Sequence, residues 1–402
     1  TTAGASGPLK MTFLDVIKQY VESALAEYKK RPGVATDLGL VPGGWADLAT
    51  RLNAERQAGK APDFSLLGVG FIGGMAARGQ LNDLAPLIRD AGVDLSPLTP
   101  SSLERWKDGE KLWALPAAVF TQAMYYNKTL FDKAGIEQPP SDWTKPWTFD
   151  QWREAAKKLN DGKEVFGTYA NLTPERTCQY LWSNGASVFS EDGSTFEMAS
   201  PEAIETYEFL AAFEKDGLAP SQDLVVNTGA DVLFGGGRIG MLLEGSWMLG
   251  SVVKMGAKFE IGVAPAPAGS TGVSSTPVWN DSWIIPQGSK NPERAIDVLK
   301  FMVSEDGLAI LSGPNGMNGL SPISAMNKSN IDKLFDGLLP DRKQVWVDSL
   351  DHSRNYYFAP NYAEILNAFD QELALIPSGD KTPAEALKSL REQVQPLLDA
   401  EA

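Results

Sequence analysis

Residues 9–30 read LKMTFLDVIKQYVESALAEYKK, and they decide the fold class. Leu9 to Leu14 is an apolar run of strand length, whereas Val16 to Lys30 carries its apolar residues at helical spacing. The alternation recurs downstream. Val34 to Val41 reads as strand and Ala46 to Ala58 as helix; Phe64 to Val69 reads as strand and is followed by a short helix. Strands that alternate with helices in this way predict a βαβαβ arrangement with a mostly parallel sheet, hence an α/β protein.

The rest of the chain bounds what such a fold can do. At 402 residues it is long enough for two or more domains, each burying its own core. Thirty-six Lys and Arg stand against 51 Asp and Glu, a net charge of −15, and no basic run is interleaved with aromatics. That balance argues against nucleic acid or anionic membrane as a partner. The longest apolar stretch, Ile239 to Val253, is interrupted by Glu244 and glycines, so no segment is predicted to span a bilayer. The opening residues, TTAGASGPLK, are small and polar. They suit a chain from which a secretion signal or lipid-anchor segment has been removed, and equally one trimmed to a domain.

Cys178 and His352 are the sole residues of their kinds. No internal disulfide and no Cys/His zinc site can be assembled from them, and any Ser-His-Asp or Cys-His mechanism would have to pass through His352. That residue lies in the polar stretch Asp348 to Arg354 and is expected to be solvated; Cys178 is expected to pack as a small hydrophobe. No catalytic residue, metal site or cofactor is predicted.

Gly235, Gly237 and Gly240 have the spacing of a dinucleotide-binding loop. Such a loop must follow a strand and open a helix, so that free N–H groups face the phosphate. Here Asn227-Thr228 reads as an N-cap and Ala230 to Phe234 as a helical turn, with a strand-length apolar run from Ile239 to Leu243 after the glycines. The order is reversed, and the glycines mark a helix–turn–strand junction that uses positive φ. Elsewhere Asp108-Gly109 predicts a tight turn between extended segments. Thr148 with Gln151, Ser200-Pro201, Asn291-Pro292 and Thr382-Pro383 predict helix starts, and Gly135, Gly217 and Gly307 predict helix stops. The Pro- and Gly-rich residues 262 to 290, leading into Trp283-Ile284-Ile285, suit a crossover between lobes.

The eleven tryptophans sort into two groups. Trp147 and Trp152 flank the Thr148 cap as a hydrophobic staple would. Trp106, Trp113 and Trp346 read as core, and Trp143 belongs to a connection. Trp45, Trp182, Trp247 and Trp279 stand instead at expected element ends beside Gly, Ser, Asn and Asp, with Glu244, Asn184, Asn280 and Asp281 as polar neighbours. Rings beside hydrogen-bonding groups suit a ligand with an apolar C–H face and a hydroxyl rim, which describes carbohydrate.

Leu115-Pro116 followed by YYNKTLFDKAGI at residues 125–136 closely resembles the signature of bacterial extracellular solute-binding proteins of the maltose-binding type. FGGGRIGM at 234–241 with Gly245-Ser246-Trp247 resembles a second segment of that family, and Trp283 to Pro286 with SKNPERA at 289–295 a third. The similarity runs in order over essentially the whole chain. It implies a two-lobed periplasmic-binding-protein-like α/β fold with a ligand cleft between the lobes and crossover hinge strands. The lobes would comprise residues 1–119 with 279–320 and residues 120–278 with 321–402. It further implies a receptor, not an enzyme, that hands a sugar, usually an oligosaccharide, to the membrane permease of an ABC importer. Such a protein is a monomer outside the cytoplasm, in the periplasm or lipid-anchored on the outer face of the cell membrane. Carried over by position, Trp45 and Phe71 would serve the first lobe, and Phe120 and Gln122 the first crossover. Tyr180, Trp182 and Trp247 would serve the second lobe, Trp279, Asn280 and Asp281 the return crossover, and Tyr356, Tyr357 and Asn361 a further stacking segment. Phe120 occupies the place where the maltose-binding protein has an acidic sugar-binding residue, so maltodextrin specificity does not carry over. A polyamine or phosphodiester cargo, or a glycoside hydrolase using Glu244 and Asp281, are the alternatives.

Overall fold

The computed structural model describes residues 7–30, 35–312, 316–317, 319–328 and 342–400; the first six residues and Val34 fall outside that set. Contacts divide the chain into two compact units. Unit 1 comprises Thr1–Val119, Trp279–Leu334 and Phe358–Ala363, and unit 2 comprises Phe120–Val278, Phe335–Tyr357 and Glu364–Ala402.

Unit 1 begins β1 (Leu9–Leu14), α1 (Lys18–Lys29), β2 (Thr36–Val41), α2 (Trp45–Gln57), β3 (Ser65–Leu67) and α3 (Val69–Ala77). It continues with α4 (Leu84–Ala91), α5 (Pro100–Glu104), β4 (Lys107–Asp108), β5 (Lys111–Leu112) and β6 (Leu115–Phe120). β1 and β2 pair in parallel from Leu9↔Thr36 to Leu14↔Val41, and a parallel bridge joins Met11 to Phe64 at the approach to β3. The expected βαβαβ order is therefore present. β1 alternates too little to be half-exposed because the edges of Phe13, Phe64 and Trp283 meet at centroid distances of 6.0 to 6.1 Å beneath it. Asp108 and Lys111 pair across a turn in which Gly109 has φ 59°, as the Asp-Gly dipeptide predicts.

Unit 2 holds β7 (Gln122–Asn127), α6 (Lys128–Ala134), α7 (Phe149–Leu159), α8 (Pro174–Ser183), α9 (Pro201–Lys215), α10 (Gln222–Thr228) and α11 (Ala230–Gly235). After these come β8 (Met241–Gly245), α12 (Met248–Lys254), β9 (Ile261–Ala264) and the start of β10 (Thr276–Ile284). β7 lies antiparallel between β8 and β9. Thr148 and Gln151 form the predicted reciprocal cap of α7. Trp147 stacks on Phe131 at 6.0 Å, and Trp152 stacks on Tyr180 at 5.2 Å while its Nε1 donates to Thr168 Oγ1 at 3.0 Å. Because the cap satisfies two otherwise unpaired amides at an exposed end, Thr148→Ala should lower stability by about 1 kcal/mol in chemical denaturation with an unchanged m-value.

β10 runs longer than the sequence pattern indicated. Residues 276–278 pair in parallel with β11 (Ser353–Asn355) in unit 2, and residues 282–284 pair antiparallel with β3 in unit 1. α13 (Pro292–Met302) and α14 (Glu305–Leu311) return to unit 1.

Three expectations need correction. Gly307 is not a helix stop: it lies in the first turn of α14, where its N–H bonds the Ser304 hydroxyl. A Cβ there would fall 2.1 Å from the Phe301 carbonyl oxygen, so glycine is required by close backbone approach. Asn227-Thr228 ends α10, and Gly229, at φ 92°, separates it from α11. In the glycine stretch only Gly237 takes positive φ, at 74°, while Gly240 has no room for a Cβ beside the Gly167 carbonyl. Among the described residues no helix is long and apolar enough to cross a membrane, and no group of three or more His, Cys, Asp or Glu could hold a metal ion.

Candidate functional site

Parallel β1, β2 and the approach to β3 bring the segments after their C-terminal ends to one edge of unit 1, where open α/β sheets bind ligands. That edge carries Val16, which is 65% exposed, Trp45 at the start of α2, and Gly68 to Phe71 at the start of α3. The glycines there are seats for rings. A Cβ on Gly68 would lie 2.6 Å from the Trp45 indole, and one on Gly70 would lie 2.8 Å from the Tyr362 ring. One turn along the same helix face, Gly74 leaves room for the Pro360 carbonyl, and Arg78 donates to that carbonyl at 3.2 Å. Phe71 meets Tyr362 edge to face at 6.1 Å, and Phe358 meets it at 4.8 Å. Asn361 lies in this same segment and is 9% exposed.

Asp281 joins the edge from β10. Its carboxylate accepts the Val69 N–H in the first turn of α3, but burial without a neighbouring cation pushes its pKa up to about 7. The side chain nevertheless keeps some accessible surface. The two residues before it behave differently. Trp279 is 6% exposed and Asn280 3% exposed, with the Asn280 amide donating to the Ser102 carbonyl at 3.2 Å. Trp279 is thus in mid-strand and not at an element end.

Unit 2 builds its own cluster where β7 begins and β8 ends. Gln122 is paired across the sheet with Gly245, and Ser246 N donates to the Thr121 carbonyl at 3.2 Å. Trp247, just past β8, is partly exposed; it packs against Gly245, meets Phe120 edge to face at 5.6 Å, and has the Arg176 guanidinium 4.9 Å from its ring centroid. Arg176 Nε also pairs with Glu244 Oε1 at 3.1 Å, and the same carboxylate accepts the Gly245 N–H at 2.8 Å. Around Glu244, burial first and its negative charge second raise the pKa values of the Tyr125, Tyr169 and Tyr180 hydroxyls, Tyr169 to about 12. Tyr180 is 1% exposed and belongs to the Trp152 core. Trp182 is 9% exposed with the Arg354 guanidinium 4.7 Å over its ring. Tyr356 and Tyr357 both pack edge-on against Phe189, at 6.3 and 5.8 Å. Beside this cluster a pocket of about 120 Å³ is lined by Tyr169, Asn171, Thr173, Glu214 and Asp370 among others; Thr173 is the N-cap of α8.

Asn184 has its side chain engaged within unit 2. Its amide donates to the Glu202 carbonyl and to Thr206, and its carbonyl accepts from Ser270. His352 is not simply solvated either, because it stacks on Trp143 at 5.6 Å. Cys178 is fully buried, as expected.

Residues 14–309 match the sequence profile of the family described as bacterial extracellular solute-binding protein. The chain belongs to that family. Its members are solute-binding receptors. This solute-binding protein is 28% identical over 411 residues to a putative binding protein of Brucella abortus (strain 2308), covering 98% of this chain and 94% of the relative. A solved ABC substrate-binding protein from Listeria monocytogenes in complex with cycloalternan superposes with a TM-score of 0.88 at 25% identity, covering 98% of this chain and 99% of that one. UgpB from Mycobacterium tuberculosis in complex with glycerophosphocholine superposes with a TM-score of 0.83 at 21% identity, covering 98% of this chain and 99% of that one. The two-lobed periplasmic-binding-protein-like α/β architecture is therefore that of this solute-binding protein.

The candidate site regions include residues that sequence patterns did not reveal. Arg176, Gln179, Ser246 and Arg354 join the unit 2 cluster, and Phe358 and Tyr362 join the unit 1 edge. Arg176 lies in the first turn of α8, and nothing in the local sequence links it to Trp247, 71 positions away. Phe358 and Tyr362 approach Gly70 only in the fold, and no local sequence signal marks them.

Proposed function

We propose that this protein is the extracytoplasmic receptor of an ABC importer, that it binds an oligosaccharide through the unit 1 edge and the unit 2 cluster together, and that the ligand drives hinge closure. The observation that carries the reading is the Trp247 setting. A partly exposed indole lies at the end of β8, with an Arg176–Glu244 pair beside it, so an apolar face and a hydrogen-bonding rim are offered together. The pocket next to the α8 N-cap adds polar groups, Asn171, Thr173, Glu214 and Asp370, to the same unit. Closure follows from differential contact: sugar held by one half-site gains the second set only in the closed form, so binding shifts the open–closed equilibrium. The membrane permease of the importer reads the closed form. The receptor works as a monomer without chemistry or a cofactor, in the periplasm or lipid-anchored outside the cell membrane. Glu244 is poorly placed as a hydrolytic acid, since Arg176 and the Gly245 amide already occupy its carboxylate.

A thermal-shift panel of mono- and oligosaccharides tests the proposal. A sugar at a hundredfold its dissociation constant stabilises by about 2.7 kcal/mol. Stabilisation by glycerophosphocholine or a polyamine, with none by any sugar, would replace sugar by that cargo.

A further inference from the structure

None of Phe120, Arg176, Glu244 and Trp247 lines the pocket of about 120 Å³ in unit 2, which is therefore a feature of its own. Its walls all come from that unit: residues 169–173, the C-terminal half of α9 with the segment after it, and the later turns of the helix Tyr362–Leu373. The body of the pocket is apolar, formed by Leu172, Leu210, Phe213, Phe369, Leu373 and Pro377. Two carboxylates join this lining from separate helices, Glu214 from α9 and Asp370 from the later helix, and no Lys, Arg or His is among the described lining residues. Glu214 is half-buried, whereas Asp370, Gln222 and Ala374 are exposed and form the mouth.

Most donors in the wall are turned on the protein's own acceptors. The Tyr169 hydroxyl donates to Gln222 Oε1 at 3.2 Å, the Gln222 N–H to Glu214 Oε1 at 3.2 Å, and the Thr173 N–H to Asn171 Oδ1 at 2.9 Å. α8 begins beside the pocket, yet its first turn has no amide left for an anion. Pro174 lacks an N–H, that of Glu175 goes to its own carboxylate, and those of Arg176 and Thr177 go to the Thr173 carbonyl at 2.9 Å. A guest is left with the neutral Asn171 amide, the Thr173 hydroxyl and the two carboxylates. Partial burial holds both acids above their ordinary pKa, and no cation offsets it.

Those features select the guest. An ammonium has three N–H donors and no acceptor, so it can serve both carboxylates, while an anion would meet two like charges. The apolar body calls for a hydrocarbon stem behind the charge. A cavity of about 150 Å³ admits benzene, so a pocket of this size with an open mouth admits a stem of roughly four carbons.

We propose that this pocket is a second binding site of unit 2, for a protonated primary amine on a short apolar stem, with Glu214 and Asp370 as its counter-charges. The chemistry is the same whether the amine is a free alkylamine or a substituent of the cargo. The site uses neither Trp247 nor any residue of unit 1, so its failure and that of the sugar reading are separate results.

The experiment titrates the full chain with butylammonium, 1-butanol and butyrate, and with the trimers of glucosamine and N-acetylglucosamine, by calorimetry and thermal unfolding. Butylammonium should bind and raise the unfolding temperature, while butanol and butyrate at the same concentration should do neither. Glu214→Gln and Asp370→Asn, which keep shape at partly exposed positions, should each weaken amine binding by about fivefold, the worth of one half-exposed ion pair. Ala374→Lys carries its own ammonium to the mouth, so it should unfold at the same or a higher temperature than wild type and exclude butylammonium. If the glucosamine trimer alone binds, and loses affinity in the carboxamide variants while the N-acetylated trimer does not, the amine arrives on the cargo. Binding of butanol as tight as that of butylammonium, amine affinity unchanged in both carboxamide variants or in Ala374→Lys, or no binding of either amine would each overturn the proposal.

Discussion

Trp247→Ala is expected to weaken sugar binding by about 2 kcal/mol, roughly thirtyfold, while the free protein loses less than about 1 kcal/mol of stability. The asymmetry follows from what surrounds the ring. Trp247 is partly exposed, and its partners include the Gly245 backbone, the edge of Phe120 and the Arg176 guanidinium. Loss of the ring removes apolar surface on which a sugar would pack and the platform that holds Arg176. Arg176 keeps its partner in Glu244, so no buried charge is stranded in the free protein. Titration calorimetry and thermal unfolding of the same two proteins decide the matter. A fold-stability loss equal to the binding loss would make Trp247 a core residue, and unchanged affinity would remove it from the site.

The comparison with Trp152 shows how much of this could be seen in the chain itself. Trp152 sits four residues after a capping threonine, a local pattern that already implies burial, and it is 1% exposed. Helix starts, tight turns and the first parallel strands were legible for the same reason, since each depends on neighbours within a few residues. Trp279 carried a surface-like context, Asn280-Asp281, yet is buried, because β10 begins at Thr276 and its pairing partners, β3 and β11, are remote in sequence. Gly307 departs from the helix-stop expectation for a related reason. A glycine demanded by a neighbouring carbonyl and a glycine that ends a helix look alike until the packing is known. The Arg176–Trp247 and Arg354–Trp182 contacts are likewise tertiary, and no spacing rule predicts them.

Asp281→Asn should have opposite effects on stability and on sugar binding, both dependent on pH. The carboxyl is raised from 3.8 to about 7 because burial disfavours its charge and only the Val69 N–H opposes this. An acid whose folded pKa lies above its unfolded value destabilises the fold when ionised. That penalty is full above about pH 7, fades as pH falls toward 4, and is absent below the unfolded value. A shift of this size would correspond to about 4 kcal/mol, and the partial accessibility of the side chain reduces the expectation to about 1–2 kcal/mol. Asp281→Asn should therefore unfold at a higher temperature than wild type near pH 8, with the difference closing as pH drops. Binding runs the other way. Sugar hydroxyls that donate to the carboxylate favour its ionised form, so wild-type binding releases a proton and its affinity falls up to tenfold per pH unit below about 7. The asparagine variant should bind more weakly at neutral pH and lose that pH dependence. Calorimetry in buffers of different ionisation enthalpy would detect the proton directly, and a flat wild-type profile would show that the ligand does not reach Asp281.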